Sequence, residues 1–381
     1  MQPIYLDHAA STRVSDDVLA LMTEVMRTAW GNPSAQHPQG AAARAHIETA
    51  RQRLLAALGD PGGGRGDIIW TSGCTEADAL AVLGAARAKD GAIVVSAIEH
   101  PAVGAAAAAL AAGGRRVVTI APGPDAVLDP GAVAEAAAGA AVVSIVMVQN
   151  ELGVVQPIAA IAAEVHRRAP GCHLHVDAAQ ALGKVAIDVG ALGADSLAIA
   201  GHKLHGPKGT GALWLRAGAT LEPLWVGGGQ QRGLRGGTQD APGAAGLGLA
   251  AERATAALAT ARARWLEFAG RVTSRLTERG VAFRQLVPDQ RRAPHILALG
   301  FPRVPATALR TVLASRGVYI STGSACAERD SKPSAVLEAI ALPADTGMGR
   351  LSFGLDTTAE EVAAATEILA DVAAELAARP A

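Results

Sequence analysis

The chain has 381 residues, half of them hydrophobic, with 34 basic and 35 acidic side chains and a formal net charge of −1. This length suits one large and one smaller domain, or two similar ones, with an ample core, while near-neutrality excludes a global field that would favour nucleic acid or an anionic membrane. Its longest apolar runs, such as Val103 to Gly113, are Ala-rich and broken by glycine, and none reaches the about 20 residues that cross a bilayer.

The first residues, MQPIYLDHAAST, lack the basic and apolar pattern of a signal peptide, and Ile4–Leu6 reads as a strand joining the smaller domain. From there short β-rich runs alternate with longer helical stretches, the pattern of a mostly parallel sheet with helices on both faces. Strands are expected at 67–71, 92–96, 116–120, 141–148, 173–177, 196–200 and 212–215, and helices at 75–89, 101–112, 130–138 and 157–168. Several of the helices open on Pro or Thr, as first turns prefer. After about Pro242 come one long Ala/Arg/Glu helix and then shorter strands, at 281–285 and 295–299, alternating with helices. The expected division is 13–258 for the large domain, with 1–12 and 259–381 forming a small α/β domain. Pro61-Gly-Gly-Gly64 reads as a surface turn. Gly206-Pro-Lys-Gly-Thr-Gly lacks the P-loop spacing and precedes a strand, and no G-x-G-x-x-G joins a first strand to a helix, which argues against ATP and dinucleotides.

Four segments at predicted strand ends carry chemistry, and ligands of open parallel sheets sit at such ends. Lys203, in Ala200-Gly-His-Lys203, offers an amine that can form a Schiff base with an aldehyde cofactor. Asp177 ends an apolar strand and could keep a cofactor ring nitrogen protonated; it equally suits a helix N-cap. Thr71-Ser-Gly-Cys-Thr-Glu76 marks a strand-to-helix junction able to hold phosphate, or a capping box built on Ser72 or Thr75. His100, in Glu99-His-Pro101, can stack on a ring and exchange protons near neutral pH, or serve as an ordinary loop histidine.

Three widely spaced cysteines, Cys74, Cys172 and Cys326, argue for a reducing cytoplasm and against a disulfide framework, and no Cys/His spacing suits structural zinc. Cys172 reads as buried and inert. Cys326 lies in a polar stretch with no apolar period, about 321–333, where an exposed thiol suggests that its thiolate is used. Arg329 and Lys332 favour that thiolate, while Glu328 and Asp330 oppose it.

In order, YLDHAAST, TSGCTEA, AIEHPAV, QNELGVVQPI, HVDAAQALGK, AGHKLHGPKGTGAL, GGGQQRGLRGGT and STGSAC make the chain resemble cysteine desulfurases of the IscS/NifS type from end to end. The resemblance implies a fold-type I, pyridoxal-phosphate-dependent α/β enzyme of the class V aminotransferase fold. It turns L-cysteine into L-alanine and leaves the sulfur on Cys326 as a persulfide. By this resemblance Lys203 bonds the cofactor, Asp177 pairs with its ring nitrogen and His100 stacks on the ring. Asn150 and Gln180 contact the ring's oxygen side or the substrate. Cys74, Thr75, Ala200, His202 and, from a second subunit of a homodimer, Thr238 surround the phosphate. Arg350 takes the substrate carboxylate, a task for a guanidinium fork. The implied partners are L-cysteine and a sulfur-acceptor protein, such as an iron–sulfur scaffold or a tRNA-thiolation protein, with no direct nucleic acid, membrane or resident metal. Cys326 would meet a nascent iron–sulfur cluster only during transfer. Ala200 stands where the family has Ser, Gln231 where Glu is common, and 327–332 is more charged than the family loop. Two rivals remain: a lyase on the same fold that releases its product directly, and a non-catalytic sulfur-transfer scaffold.

Overall fold

The computed structural model describes residues 3–323 and 335–378. After β1 (Ile4–Tyr5), α1 (Asp16–Thr28) and α2 (Pro38–Ala57), the chain alternates β2 (Gly66–Thr71), α3 (Cys74–Ala88), β3 (Ala92–Ser96), α4 (Pro101–Ala112), β4 (Val117–Ile120), α5 (Pro130–Ala136) and β5 (Ala140–Val146). It continues through α6 (Ile158–Arg168), β6 (His173–Asp177), α7 (Val189–Leu192), β7 (Ser196–Ala200) and β8 (Gly211–Arg216). These strands form one seven-stranded sheet in the order β2-β8-β7-β6-β5-β3-β4. The pairing is parallel from β7 to β4, whereas β8 runs antiparallel to both β2 and β7. The reason is length: the stretch between β7 and β8 is too short for the dozen or more residues of a parallel crossover.

Successive side chains of a strand face opposite sides, and both sides of this sheet are covered. In β6, Leu174 and Val176 join the core packed under α6 and α8 (Ala241–Ala256), with Val143, Ile145, Leu197 and Ile199. The other face, under α3 and α4, packs Ile93, Val95, Val142, Ala198 and Leu213 against Ala77, Leu80 and Ala81. His173, His175 and Asp177 of β6 are also buried and alternate with Leu174 and Val176.

The long helix expected after Pro242 is two helices, α8 and α9 (Leu258–Glu278). They meet at Ala257 because the apolar faces serve different cores: Ala244, Leu247 and Ala251 pack in the first, Ala261, Trp265 and Phe268 in a separate one. That second core also draws on β10 (Ile296–Pro302), α10 (Ala306–Ser315), β11 (Val318–Tyr319), β12 (Thr346–Ser352) and α12 (Ala359–Ala377), while β9 (Arg284–Gln285) pairs at the edge of β10 and α11 (Ala335–Ala339) packs Val336 in a smaller cluster with Ile98, Val146 and Ala298. Here β10 lies between β12 and β9 in a three-stranded antiparallel sheet, and β1 pairs with β11. The strand expected at 281–285 shrinks to β9, since only Arg284 and Gln285 find partners on β10 while Val281 and Phe283 pack against the core without a ladder.

Candidate active site

The site begins where β2 turns into α3. Gly73 there has φ +156°, a conformation that L side chains rarely adopt, and Gly211 of β8 lies against it. A Cβ on Gly211 would meet the carbonyl carbon and Cα of Gly73 at 2.5 and 2.6 Å, so the close approach requires glycine. Neither Ser72 nor Thr75 caps the helix: its N-cap is Gly73, which bonds through no side chain. Instead the Ser72 amide donates to Glu76 (2.7 Å), and Arg235 clamps the Glu76 carboxylate (2.8 Å). The first amides of α3 are therefore available to an anion at the positive end of the helix.

This turn faces a cavity of about 650 Å³ at the carboxyl ends of β3, β5, β6 and β7, lined by Cys74, Thr75, His100, Asn150, Asp177, Gln180, Ala200, His202, Lys203 and Arg350. Ten of the expected site residues thus converge from segments far apart in the chain. Thr238 is exposed and lies outside this wall. Cys326, with Glu328, Arg329, Asp330 and Lys332, lies outside the described residues.

Lys203 follows β7 on a short 3₁₀ turn, and its Nζ donates to the carbonyls of Ala9 (2.6 Å) and Ala10 (2.8 Å). Burial, and then the Arg350 charge, push its pKa down to about 8, which makes the free amine accessible near neutrality. Behind it the ammonium of Lys184 donates to the Lys203 carbonyl (2.6 Å), and burial together with Lys203 pushes it down to about 7. His202 Nδ1 lies 3.2 Å from Ser11 Oγ, and burial and the Lys203 charge hold that ring neutral, down to about 4.

Asp177 caps no helix: its Oδ1 accepts the Ala179 amide (2.8 Å) and faces the Cys74 thiol (3.6 Å). Cys74 therefore directs its sulfur at Asp177, leaving its amide as what it offers to an anion, and burial and then Asp177 raise its thiol well above the usual range. His100 is the N-cap of α4, accepting the Ala102 amide on Nδ1 (3.2 Å), so that Nε2 is left as the N–H edge of the neutral ring. Burial lowers its pKa. Gln180 donates to the Ala9 carbonyl (2.7 Å). From β12, Arg350 reaches in from the second core, only 3% exposed, bonded to Asp7 (2.6 Å) and to the Asn150 carbonyl (2.7 Å). Cys172 is buried away from this cavity, its thiol pushed up to about 12 by burial.

Sequence reasoning passed over Asp7, Lys184, Glu99 and Asp78. All but Asp78 stand inside quoted motifs, YLDHAAST, HVDAAQALGK and AIEHPAV. Glu99 accepts the Ser96 hydroxyl and the Val146 amide (2.8 Å), and burial lifts it to about 8.

The family model described as aminotransferase class-V matches residues 4–364. A cysteine desulfurase of Rhodobacter capsulatus is 39% identical over 98% of this chain and 97% of its own length. The cysteine desulfurase IscS of Methanosarcina thermophila is 35% identical over 98% of this chain and 92% of its own. Among solved structures, a NifS-like protein superposes with a TM-score of 0.89 at 30% identity, covering 98% of this chain and 100% of that one. A structure described as SspA in complex with cysteine superposes at 0.79 with 32% identity, covering 92% and 98%.

Proposed function

Since the chain belongs to the class-V aminotransferase family and acts within it as a cysteine desulfurase, we propose that Lys203, Asp177, His100 and Arg350 process L-cysteine on pyridoxal phosphate and that Cys326 receives the sulfur as a persulfide. The observation that carries this reading is a lowered-pKa amine, a buried carboxylate and an uncapped helix N-terminus in one cavity. That donor set fits the cofactor: Lys203 would bond its aldehyde, Asp177 would hold the proton on its ring nitrogen, and the amides of Cys74 and Thr75 with His202 would take its phosphate. When bound, pyridoxal phosphate supplies a ring that accepts the electron pair from the substrate Cα.

The remaining work falls to this chain. Arg350 exchanges Asp7 for the substrate carboxylate and so orients the amino acid. Lys203 takes the Cα proton as a free amine. His100 offers its Nε2 edge toward the substrate sulfur, where it passes a proton between thiol and thiolate. The Cys326 thiolate attacks that sulfur; an S–S bond forms, the C–S bond breaks, and its electron pair returns to carbon, which takes up a proton. L-cysteine and one enzyme thiol become L-alanine and one enzyme persulfide, with no external oxidant.

Cys326→Ser tests the division of labour. The variant is expected to bind cofactor and L-cysteine as judged by absorbance and to release little alanine, because a serine hydroxyl is a far weaker nucleophile at neutral pH. Cys172→Ser is expected to leave the rate nearly unchanged, and Cys74→Ser to fall between. Alanine release at the wild-type rate from Cys326→Ser, or a persulfide mapped to Cys74 or Cys172, contradicts the assignment.

The same reading makes the enzyme a homodimer, with Thr238 of one subunit at the phosphate of the other. The exposed apolar side chains Leu19, Met26 and Trp30 on and beside α1, and Trp225 and Val226 in the stretch leading to Thr238, support it. It divides the chain at 13–258 and 1–12 with 259–381, supported by Ile4 and Leu6 packing in the second core. It also gives the persulfide to an acceptor protein in a reducing cytoplasm. Among the described residues no helix is long and apolar enough to cross a membrane.

A further inference from the structure

Behind Asp177, β6 carries two more polar side chains on the same face, and neither takes part in the chemistry above. His175 is fully buried; its Nε2 lies 3.1 Å from Asp78 Oδ1 on α3 and its Nδ1 2.9 Å from Ser196 Oγ on β7. The same Ser196 oxygen lies 2.7 Å from His173 Nε2. Asp78 lines the cavity that holds Asp177, while His173 lines a different cavity, of about 420 Å³, with Cys172, Asp195 and Arg216. Four polar side chains therefore run in hydrogen-bond contact through the layer between sheet and α3, from one cavity to the other. Apolar residues there would cost less, since every buried polar group needs a partner.

We propose that Asp78, His175, Ser196 and His173 form a proton path between the Asp177 end of the active site and the cleft at the opposite end of β6. Each inner member can both donate and accept, because a neutral imidazole and a hydroxyl have one role of each kind free. The chain consequently has two self-consistent polarities. In one, Asp78 is a carboxylate accepting from His175 Nε2–H, Ser196 donates to His175 Nδ1, and His173 Nε2–H donates to Ser196. A proton arriving at His173 Nδ1 releases the Nε2 proton to Ser196. Ser196 passes its own to His175 Nδ1, and the His175 Nε2 proton goes to Asp78 Oδ1. One proton enters at His173 and one is gained at Asp78, and every bond of the chain persists with its direction reversed.

The surroundings suit this traffic. Burial holds His175 down to about 3 and His173 down to about 4, so both rings rest neutral. Burial, then Asp177 and Glu99, raise the Asp78 carboxyl well above the usual range, which favours the polarity with the proton on Asp78. Around the inner end stand Asp177, Cys74 and Glu99; around the outer end stand Asp195, which pairs with Arg216 and lies 3.8 Å from His166, and Lys89 just past α3. The outer carboxylate draws a proton toward His173 and Asp177 holds it on Asp78.

The test is infrared spectroscopy of the holoenzyme after dilution into D₂O. The Asp78 carboxylic acid C=O band is identified as the component lost in Asp78→Asn, with that of Glu99 remaining. Wild type and Ser196→Thr, which keeps the hydroxyl, are expected to exchange together. In Ser196→Ala the route through His173 is cut, and exchange left to openings on the active-site side slows by roughly tenfold or more. His173→Gln, at the rim, is expected to slow it likewise and serves if Ser196→Ala does not fold. An unchanged exchange rate in either folded variant, or a spectrum from which Asp78→Asn removes nothing, overturns the path. The outcome is independent of which thiol carries the sulfur.

Discussion

Lys203 shows how a fold prepares a side chain for the two tasks proposed for it. Its amine is buried and near Arg350, and the charged form loses more by this than it gains from Asp7 and Asp177. Capture of pyridoxal phosphate by the apoenzyme should therefore rise with pH to a half-point near 8, well below that of an ordinary lysine. Removing a cation favours the ammonium, so Arg350→Gln should move that half-point upward; stopped-flow absorbance against pH reads both. Lys203→Ala should abolish the covalent cofactor absorbance and turnover, checked by borohydride trapping and alanine assay. His100→Asn, which removes the N–H edge at the sulfur, should lower kcat by roughly a hundredfold or more. Lys203 and Asp177 were legible as candidates because an aldehyde cofactor asks for an amine and a carboxylate on neighbouring strands, and both line the cavity. Roles set by neighbours were not: Asp78 is an ordinary acidic residue of an Ala-rich helix until His175 lies 3.1 Å from it.

Among the elements, β3, β6 and β7 and helix α4 have the bounds that sequence patterning predicts, because each is a short β-rich run set off by turn residues or, for α4, a helical stretch with a leading proline. Where packing decides, patterning fell short. The break at Ala257 reflects two cores drawing on one continuous Ala-rich pattern, and the strand that ends at Asp177 also buries His173 and His175, whose partners only the packing supplies. The turn into α3 invites a test at this scale. Gly211→Ala should cost about 1–3 kcal/mol by forcing the Gly73 backbone away. It should also weaken cofactor retention, since the α3 amides move with that turn. Thermal melting of the apoenzyme and cofactor release on dialysis measure the two effects separately, and a cost in stability with unchanged retention would detach the turn from the phosphate.

At the scale of the whole molecule, the exposed apolar side chains on α1 and around Trp225 predict a two-fold dimer by sedimentation, with Met26→Lys and Trp30→Glu shifting it toward monomer and lowering activity. A fully active monomer would remove Thr238 from the site. The two ends of the described chain also meet inside one subunit, where Asp7 holds the Arg350 guanidinium at 2.6 Å across 343 positions of sequence. Any acid that binds Arg350 has to evict a carboxylate that is tethered beside it at high effective concentration. Simple acids such as acetate should be poor inhibitors for that reason, whereas an amino acid anchored through its nitrogen is tethered too and competes on equal terms. Asp7 thus acts as a resident decoy, biasing entry toward ligands held at two points.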